Sequence, residues 1–252
     1  MNNLVKTGEK YMKKKLKVLG ISVLSLILVL IIGVGMIFKG EIRTLISFKQ
    51  LNEHPFYEMT YHADYNLDEF LINGAATDDE LVSFVTKQIL KGVSFDVNPD
   101  GACSTFIATN LEDENLFGRN FDYVHSIGLI VRTQPKNGYK SISLVNLNHL
   151  GLSLENMPTK NLINRIVTLA APYAPLDGMN EKGLAIGVLV IQDGKVHQNT
   201  GKVPITTTSA IRMVLDKAAT VDEAIELLKN YDMNSSGETG YHFQIADASG
   251  NT

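Results

Sequence analysis

Gly101-Ala102-Cys103-Ser104-Thr105-Phe106-Ile107-Ala108-Thr109 and, after a polar turn, Leu116-Phe117-Gly118-Arg119-Asn120-Phe121-Asp122 form the most telling stretch of this 252-residue chain. Apolar and β-branched residues flank Glu112-Asp113-Glu114-Asn115, which predicts a hairpin of two strands, 103–109 and 115–121. A hairpin returns its open ends to each other, so Arg119 and Asp122 are expected beside Cys103. Cys103 is the only cysteine of the chain. With no disulfide partner it is either a small buried hydrophobe or a thiol with a chemical task. A guanidinium beside it is expected to favour thiolate over thiol, and a carboxylate to orient a neighbouring cation or amine.

Outward from the hairpin, strands are expected at 127–133, 139–147, 183–191 and 241–246, separated by glycine and asparagine turns. Helices are expected over Thr207–Ala218 and Val221–Lys229, the second opened by the Thr220/Glu223 capping box. Upstream, Thr77-Asp78-Asp79-Glu80 opens a helix whose Leu81, Phe84, Val85 and Ile89 share one face, and Lys91-Gly92 closes it. Ile42–Asp64, broken by His54-Pro55, reads as a linker lying against the domain. Strands that precede paired helices indicate an α+β layered domain.

At the amino terminus, Val18–Phe38 holds 21 residues without a charge, which suits one membrane-spanning helix. The other reading is a cleaved signal peptide, but no small-x-small site follows the run. Lys6, Lys10, Lys13, Lys14, Lys15 and Lys17 precede it, so residues 1–17 are expected in the cytoplasm, 18–38 in the membrane and the rest outside. Residues 1–43 carry eight Lys/Arg against two acidic residues, net +6; residues 44–252 carry fifteen against twenty-five, net −10. An acidic outer part without a basic run argues against a nucleic-acid partner. Its lone cysteine means that the fold relies on a core, which about 200 residues can provide. His54, His62, His125, His149, His197 and His242 show no metal-ligand spacing, so no metal or other cofactor is expected.

Cys103-Ser104-Thr105, the segment 117–122 and Asp177-Gly178-Met179-Asn180-Glu181-Lys182-Gly183-Leu184, in order and spacing, resemble the choloylglycine hydrolase family, also called linear amide C-N hydrolases. The resemblance covers residues 103–252. It implies an N-terminal-nucleophile αββα sandwich and hydrolysis of a non-peptide C–N bond in a small N-acyl amide. It also implies cleavage before Cys103, which makes residues 39–102 a linker and helical pro-segment and frees an α-amine as base for the thiol; an α-amine pKa of about 7.7 to 8 suits that task. By the same resemblance Cys103 is the nucleophile, Arg119 supports the thiolate and acyl group, and Asp122 holds the α-amine. Asn180 sits in a tight turn and either lines the site or serves the turn.

The sequence departs from bile salt hydrolases in three respects. A segment of 102 residues precedes the nucleophile. The oxyanion asparagine ten residues past Asn180 is replaced by Val190, of which only the backbone N–H can donate. A further asparagine and an arginine fall beyond Thr252, so the sequence is expected to be a fragment, incomplete in its sandwich and its site, and of little activity as written. Two other readings are a membrane-anchored binding or scaffold domain that kept the fold without the chemistry, and a papain-like pairing of Cys103 with His242 or His125.

Overall fold

The computed structural model describes residues 2–95, 102–123, 126–191, 194–237 and 239–252, with residues 2–10, 13 and 102 by their backbone alone. Helix α1 (Asn2–Ile37) runs into α2 (Lys39–Ser47) across Phe38, whose N–H donates to Val34 O at 3.0 Å and whose carbonyl accepts from Ile42 N at 2.9 Å. Within α1, Lys14–Ile37 has a mean hydropathy of 2.8, and none of its most apolar window is buried against protein. Among the described residues this is the helix long and apolar enough to cross a membrane, a length and composition that signal sequences share.

The body follows as β1 (Lys49–Gln50), β2 (Phe56–Thr60), α3 (Leu67–Asn73), α4 (Asp78–Gln88), β3 (Ala102–Thr109), β4 (Asn115–Asp122), β5 (Gly128–Thr133), β6 (Ser141–Asn146), α5 (Leu162–Val167), β7 (Pro175–Asn180), β8 (Ala185–Ile191), β9 (Val203–Thr206), α6 (Thr207–Lys217), α7 (Val221–Leu228), β10 (Tyr231–Asn234) and β11 (Gly240–Ala246). Seven of these strands form a mixed sheet in the order β1-β2-β5-β6-β7-β8-β11, antiparallel except for β2 beside β5. Helix α6 packs on β7 and β8, and its Ala210 and Met213 join Val85 of α4 in the core. The β3–β4 hairpin covers the other face over β8, so the body is layered as helices, sheet and hairpin.

The helix starts lie where their sequences put them. Thr77 Oγ1 accepts from Glu80 N at 3.2 Å, and Thr220 Oγ1 from Glu223 N at 3.2 Å. Both caps satisfy a first-turn N–H that has no helical partner.

Two segments differ from expectation. Ile42–Asp64 is no linker: Tyr57 and Met59 of β2 are 0% exposed, and β2 is hydrogen-bonded between β1 and β5. Its polar, proline-containing sequence hides the strand because the alternation spans five residues, and the partner strand β5 comes some seventy residues later. Residues 177–180, expected as the first half of a turn over 177–184, instead belong to β7 between β6 and β8. Pro175 and Gly178 mimic turn chemistry, but a Cβ on Gly178 would stand 2.6 Å from Ile142 O and 2.8 Å from Leu215 Cδ1, so glycine here answers a close approach of α6 to the sheet. The parallel pair β9–β10 has no counterpart in the expected strands.

The upstream segment is tied to the rest of the body by polar contacts as well. Arg212, 0% exposed, donates to Asp216 at 2.7 Å and to Ser141 at 2.6 Å, while Tyr65 donates to the other Asp216 oxygen at 2.6 Å. Gly74 ends α3 at φ +66, with Pro204 O 1.9 Å from where a Cβ would sit. Gly74→Ala combines a left-handed backbone with that clash, so a loss of at least about 1–2 kcal/mol is expected. Urea denaturation of the purified variant measures it, and an unchanged midpoint would refute the close approach.

Candidate active site

The hairpin is closed by Asn110, whose Oδ1 accepts from Glu112 N at 3.0 Å and Glu114 N at 2.8 Å, while Asp113 takes φ 58. These bonds fix the turn and hence the register, in which Cys103 faces Phe121 and Thr105 faces Arg119. Cys103, Thr105, Arg119 and Phe121 therefore share one face of the hairpin, and Ala102, Ser104, Asn120 and Asp122 the other. The Cys103 face looks onto β8: Gly187 leaves room for Thr105 and Phe117, and Thr105 Oγ1 donates to Gln244 on β11 at 3.2 Å.

Arg119 is the hub of this face. Its Nη2 donates to Cys103 Sγ at 2.9 Å and to Val188 O at 3.2 Å, and its Nη1 donates to Asp177 Oδ2 at 2.9 Å. The guanidinium side chain is 5% exposed and that of Asp177 19%, so the pair is shielded from water. Phe121 lies under the guanidinium at 5.3 Å. Asp177, whose neighbours on either side along β7 face the helices, points to the hairpin because strand residues alternate.

Burial pushes the Cys103 thiol above its ordinary value. Arg119, and after it a main-chain hydrogen bond from Val190, pull it down, while Asp177 and Asp122 push it up; the net direction is up. The guanidinium does favour thiolate, as expected, but burial of the sulfur outweighs it. Arg119 spends its charge on Asp177, and desolvation of the half-buried sulfur outweighs what remains. Burial also raises the Asp177 carboxyl, against the pull of Arg119.

Of the residues singled out in the sequence, Cys103 and Arg119 are in contact, and Val190 reaches the thiol through its main chain. Asp122 is exposed, lies opposite Ala102 on the other face of the hairpin and accepts from Asn120 Nδ2 at 2.8 Å. It stands beside the peptide bond that precedes Cys103 rather than beside the sulfur. Asn180 is buried and fully used by its own turn: its Nδ2 donates to Leu215 O at 3.0 Å and Ala218 O at 2.7 Å, and its Oδ1 accepts from Lys182 N at 3.0 Å and Leu184 N at 3.2 Å. With all four polar valences taken it has none for a substrate oxygen, and its part is to clasp the end of α6 to the sheet. Asn180→Ala strands those buried groups and is expected to cost about 1–3 kcal/mol. Thermal unfolding measures it, and a stable variant would contradict the clasp.

His242 is exposed on β11, and among the described residues no hydrogen bond links it to Cys103; His125 lies outside the described residues. The residue that sequence reasoning passed over is Asp177. Its signal was present, since it opens the third motif, but only the pleat of β7 shows that it faces Arg119.

Fold and site together define a mixed α/β protein whose polar centre is a cysteine held by a buried arginine–aspartate pair. The family of linear amide C-N hydrolases, choloylglycine hydrolase family, matches residues 103–252, more than half of the sequence, and the chain belongs to it. Among solved structures it is similar to a mutant of conjugated bile acid hydrolase from Clostridium perfringens, at 23% identity and TM-score 0.41 over 59% of this chain and 46% of that one. It is also similar to penicillin V acylase from Agrobacterium tumefaciens, at 17% identity and TM-score 0.31 over 61% and 37%. The chain spans less than half the length of these structures. No curated protein matches it.

Proposed function

We propose that this protein is a membrane-anchored cysteine amidase of the N-terminal-nucleophile type, cut before Cys103 and acting on a linear N-acyl amide. The observation that carries the reading is the Arg119 guanidinium, which touches Cys103 Sγ and Asp177 at 2.9 Å each. Helices over a sheet, with a strand hairpin on its other face, are in keeping with an αββα sandwich. The exposed apolar helix α1 serves as the anchor, with the body outside the cytoplasm.

The chemistry follows from the groups present. Hydrolysis of the Ala102–Cys103 peptide bond leaves Cys103 with an α-amine, which Asp122 holds; its register position opposite Ala102 supports that role. The amine, with a pKa of about 7.7 to 8, accepts the thiol proton. This supplies the base that the raised thiol needs, since Arg119 alone does not make it a thiolate. The thiolate attacks the acyl carbon, and the Val190 N–H, which in the resting site lies at the sulfur, turns to the developing oxyanion. The proton then passes to the nitrogen, the C–N bond breaks, an amine departs and a thioester remains. Water activated by the same amine hydrolyses the thioester to a carboxylic acid and regenerates the thiol.

The test is mass spectrometry of the purified protein together with amine release from a panel of N-acyl amides. A fragment beginning at Cys103 and turnover abolished by Cys103→Ala are expected. An intact chain that binds but does not hydrolyse would favour the scaffold reading. Retention of the protein in membranes through alkaline carbonate washing checks the anchor.

A further inference from the structure

The body has an apolar and basic end where it meets α1. On α2, Lys39, Ile42, Arg43 and Ile46 fall on the outward face, with Ile42 41% and Ile46 77% exposed. On α5, Leu162 and Ile163 are 67% and 63% exposed, with Lys160 just before them. The segments that carry these two sets touch. Phe48, two residues past Ile46, stacks on Tyr57 at 4.9 Å and lies under the Arg165 guanidinium at 5.4 Å, and Arg165 is two residues past Ile163. Met157, from the loop before α5, accepts from Tyr57 Oη at 3.6 Å and pins that loop to the same point.

The junction with α1 is short: Phe38, at φ −97 and ψ 23, is the one residue between the two helices. Phe38 N–H donates to Val34 O and its carbonyl accepts from Ile42 N, and the inner face of α2 is clamped to the end of β2 and the residues just after it. Thr44 Oγ1 accepts from His62 N at 2.8 Å, and Ser47 Oγ accepts from Thr60 N at 3.0 Å. Gly40 lies so close that a Cβ would stand 2.8 Å from Ala63 Cα. An anchor joined through one residue to a clamped helix keeps this end of the body close to a bilayer.

We propose that this α2–α5 end rests on the membrane surface, with Ile42, Ile46, Leu162 and Ile163 in the interfacial layer and Lys39, Arg43 and Lys160 against anionic headgroups; the inference rests on α1 spanning the bilayer. Two observations favour lipid over a protein partner. The patch is continuous with α1, whose flanks are exposed along its apolar length. It is also a basic end on a body whose residues 44–252, Lys160 included, are net −10, so an anionic surface attracts this end and repels the remainder. Glu41 and Glu155 are the acidic residues nearest in sequence to the two sets. Docked in this way, the Cys103 site sits at a fixed distance from the lipid, a setting suited to N-acyl amides with an apolar acyl chain drawn from the bilayer.

The experiment uses the whole protein with Cys103→Ala, so that each introduced cysteine is the sole thiol. Nitroxide labels are placed by Leu26→Cys in α1, Ile46→Cys, Ile163→Cys and, as a water reference on α7 beyond the far strands of the sheet, Asp222→Cys. The protein is reconstituted in vesicles of phosphatidylcholine with phosphatidylglycerol, and collisions with oxygen and with a water-soluble nickel chelate are compared. Labels at 46 and 163 are expected to be shielded from nickel several-fold relative to 222, with 26 deep in lipid. Labels at 46 and 163 as open to nickel as 222, with 26 still in lipid, would overturn the docking while leaving the anchor intact. Nickel access at 26 would overturn the anchor and the docking with it. Equal shielding on pure phosphatidylcholine would overturn the assignment of Lys39, Arg43 and Lys160 to anionic headgroups.

Discussion

Cleavage before Cys103 is expected to yield two pieces that separate in denaturant but stay together in native buffer, and the piece 103–252 expressed alone is expected not to fold. The reason lies upstream of the cut. Tyr57 and Met59 of β2, Phe70 of α3, and Leu81 and Val85 of α4 are all at most 4% exposed in the core. Burying a side chain of this size contributes about 1.5–3 kcal/mol, so the five together rival a typical net stability of about 5–15 kcal/mol. Removing β2 also strips β5 of one of its two strand neighbours, and removing Tyr65 takes away one partner of the buried Asp216. Denaturing and native size analysis of the processed protein, and circular dichroism of the isolated piece, measure this. Cooperative unfolding of 103–252 alone would show that the upstream segment is dispensable. A split that persists in Cys103→Ala would remove the thiol from the cleavage reaction.

Asp177→Ala is expected to destabilise the protein by about 3–5 kcal/mol, because it leaves the buried Arg119 charge without its counterion. The same contact governs the thiol. In folded Asp177→Asn the Arg119 charge is no longer offset, the Cys103 thiol falls, and alkylation by iodoacetamide at neutral pH becomes faster than in the parent protein. In folded Arg119→Ala the largest downward influence is lost and alkylation becomes slower. Both rates are read in the uncut chain, with native circular dichroism as the check on folding. Equal rates in the three proteins would show that the pair serves stability alone, whereas opposite shifts tie it to the reactivity of sulfur.

The hairpin was legible because everything it needs is local: apolar and β-branched runs flank a polar turn, and the register follows from Asn110 and its neighbours. The caps at Thr77 and Thr220 were legible for the same reason, each being satisfied within one turn. The apolar run at 18–38 announces itself by length and composition. Through that hairpin the sequence determined that Arg119 lies against Cys103. Only the tertiary structure decided the rest of the site. The sequence could not show that β2 is an interior strand, because its burial comes from β5 and from helices far along the chain. Whether Asn180 faces a substrate or a helix depends on where the α6 carbonyls end, and they end on its amide. That the thiol is raised despite its arginine depends first on how little water reaches the sulfur, and then on Asp177, 58 residues beyond Arg119. Sequence patterns report periodicity and local hydrogen bonding; desolvation and charge pairing across a sheet are sums over neighbours that only the folded chain assembles.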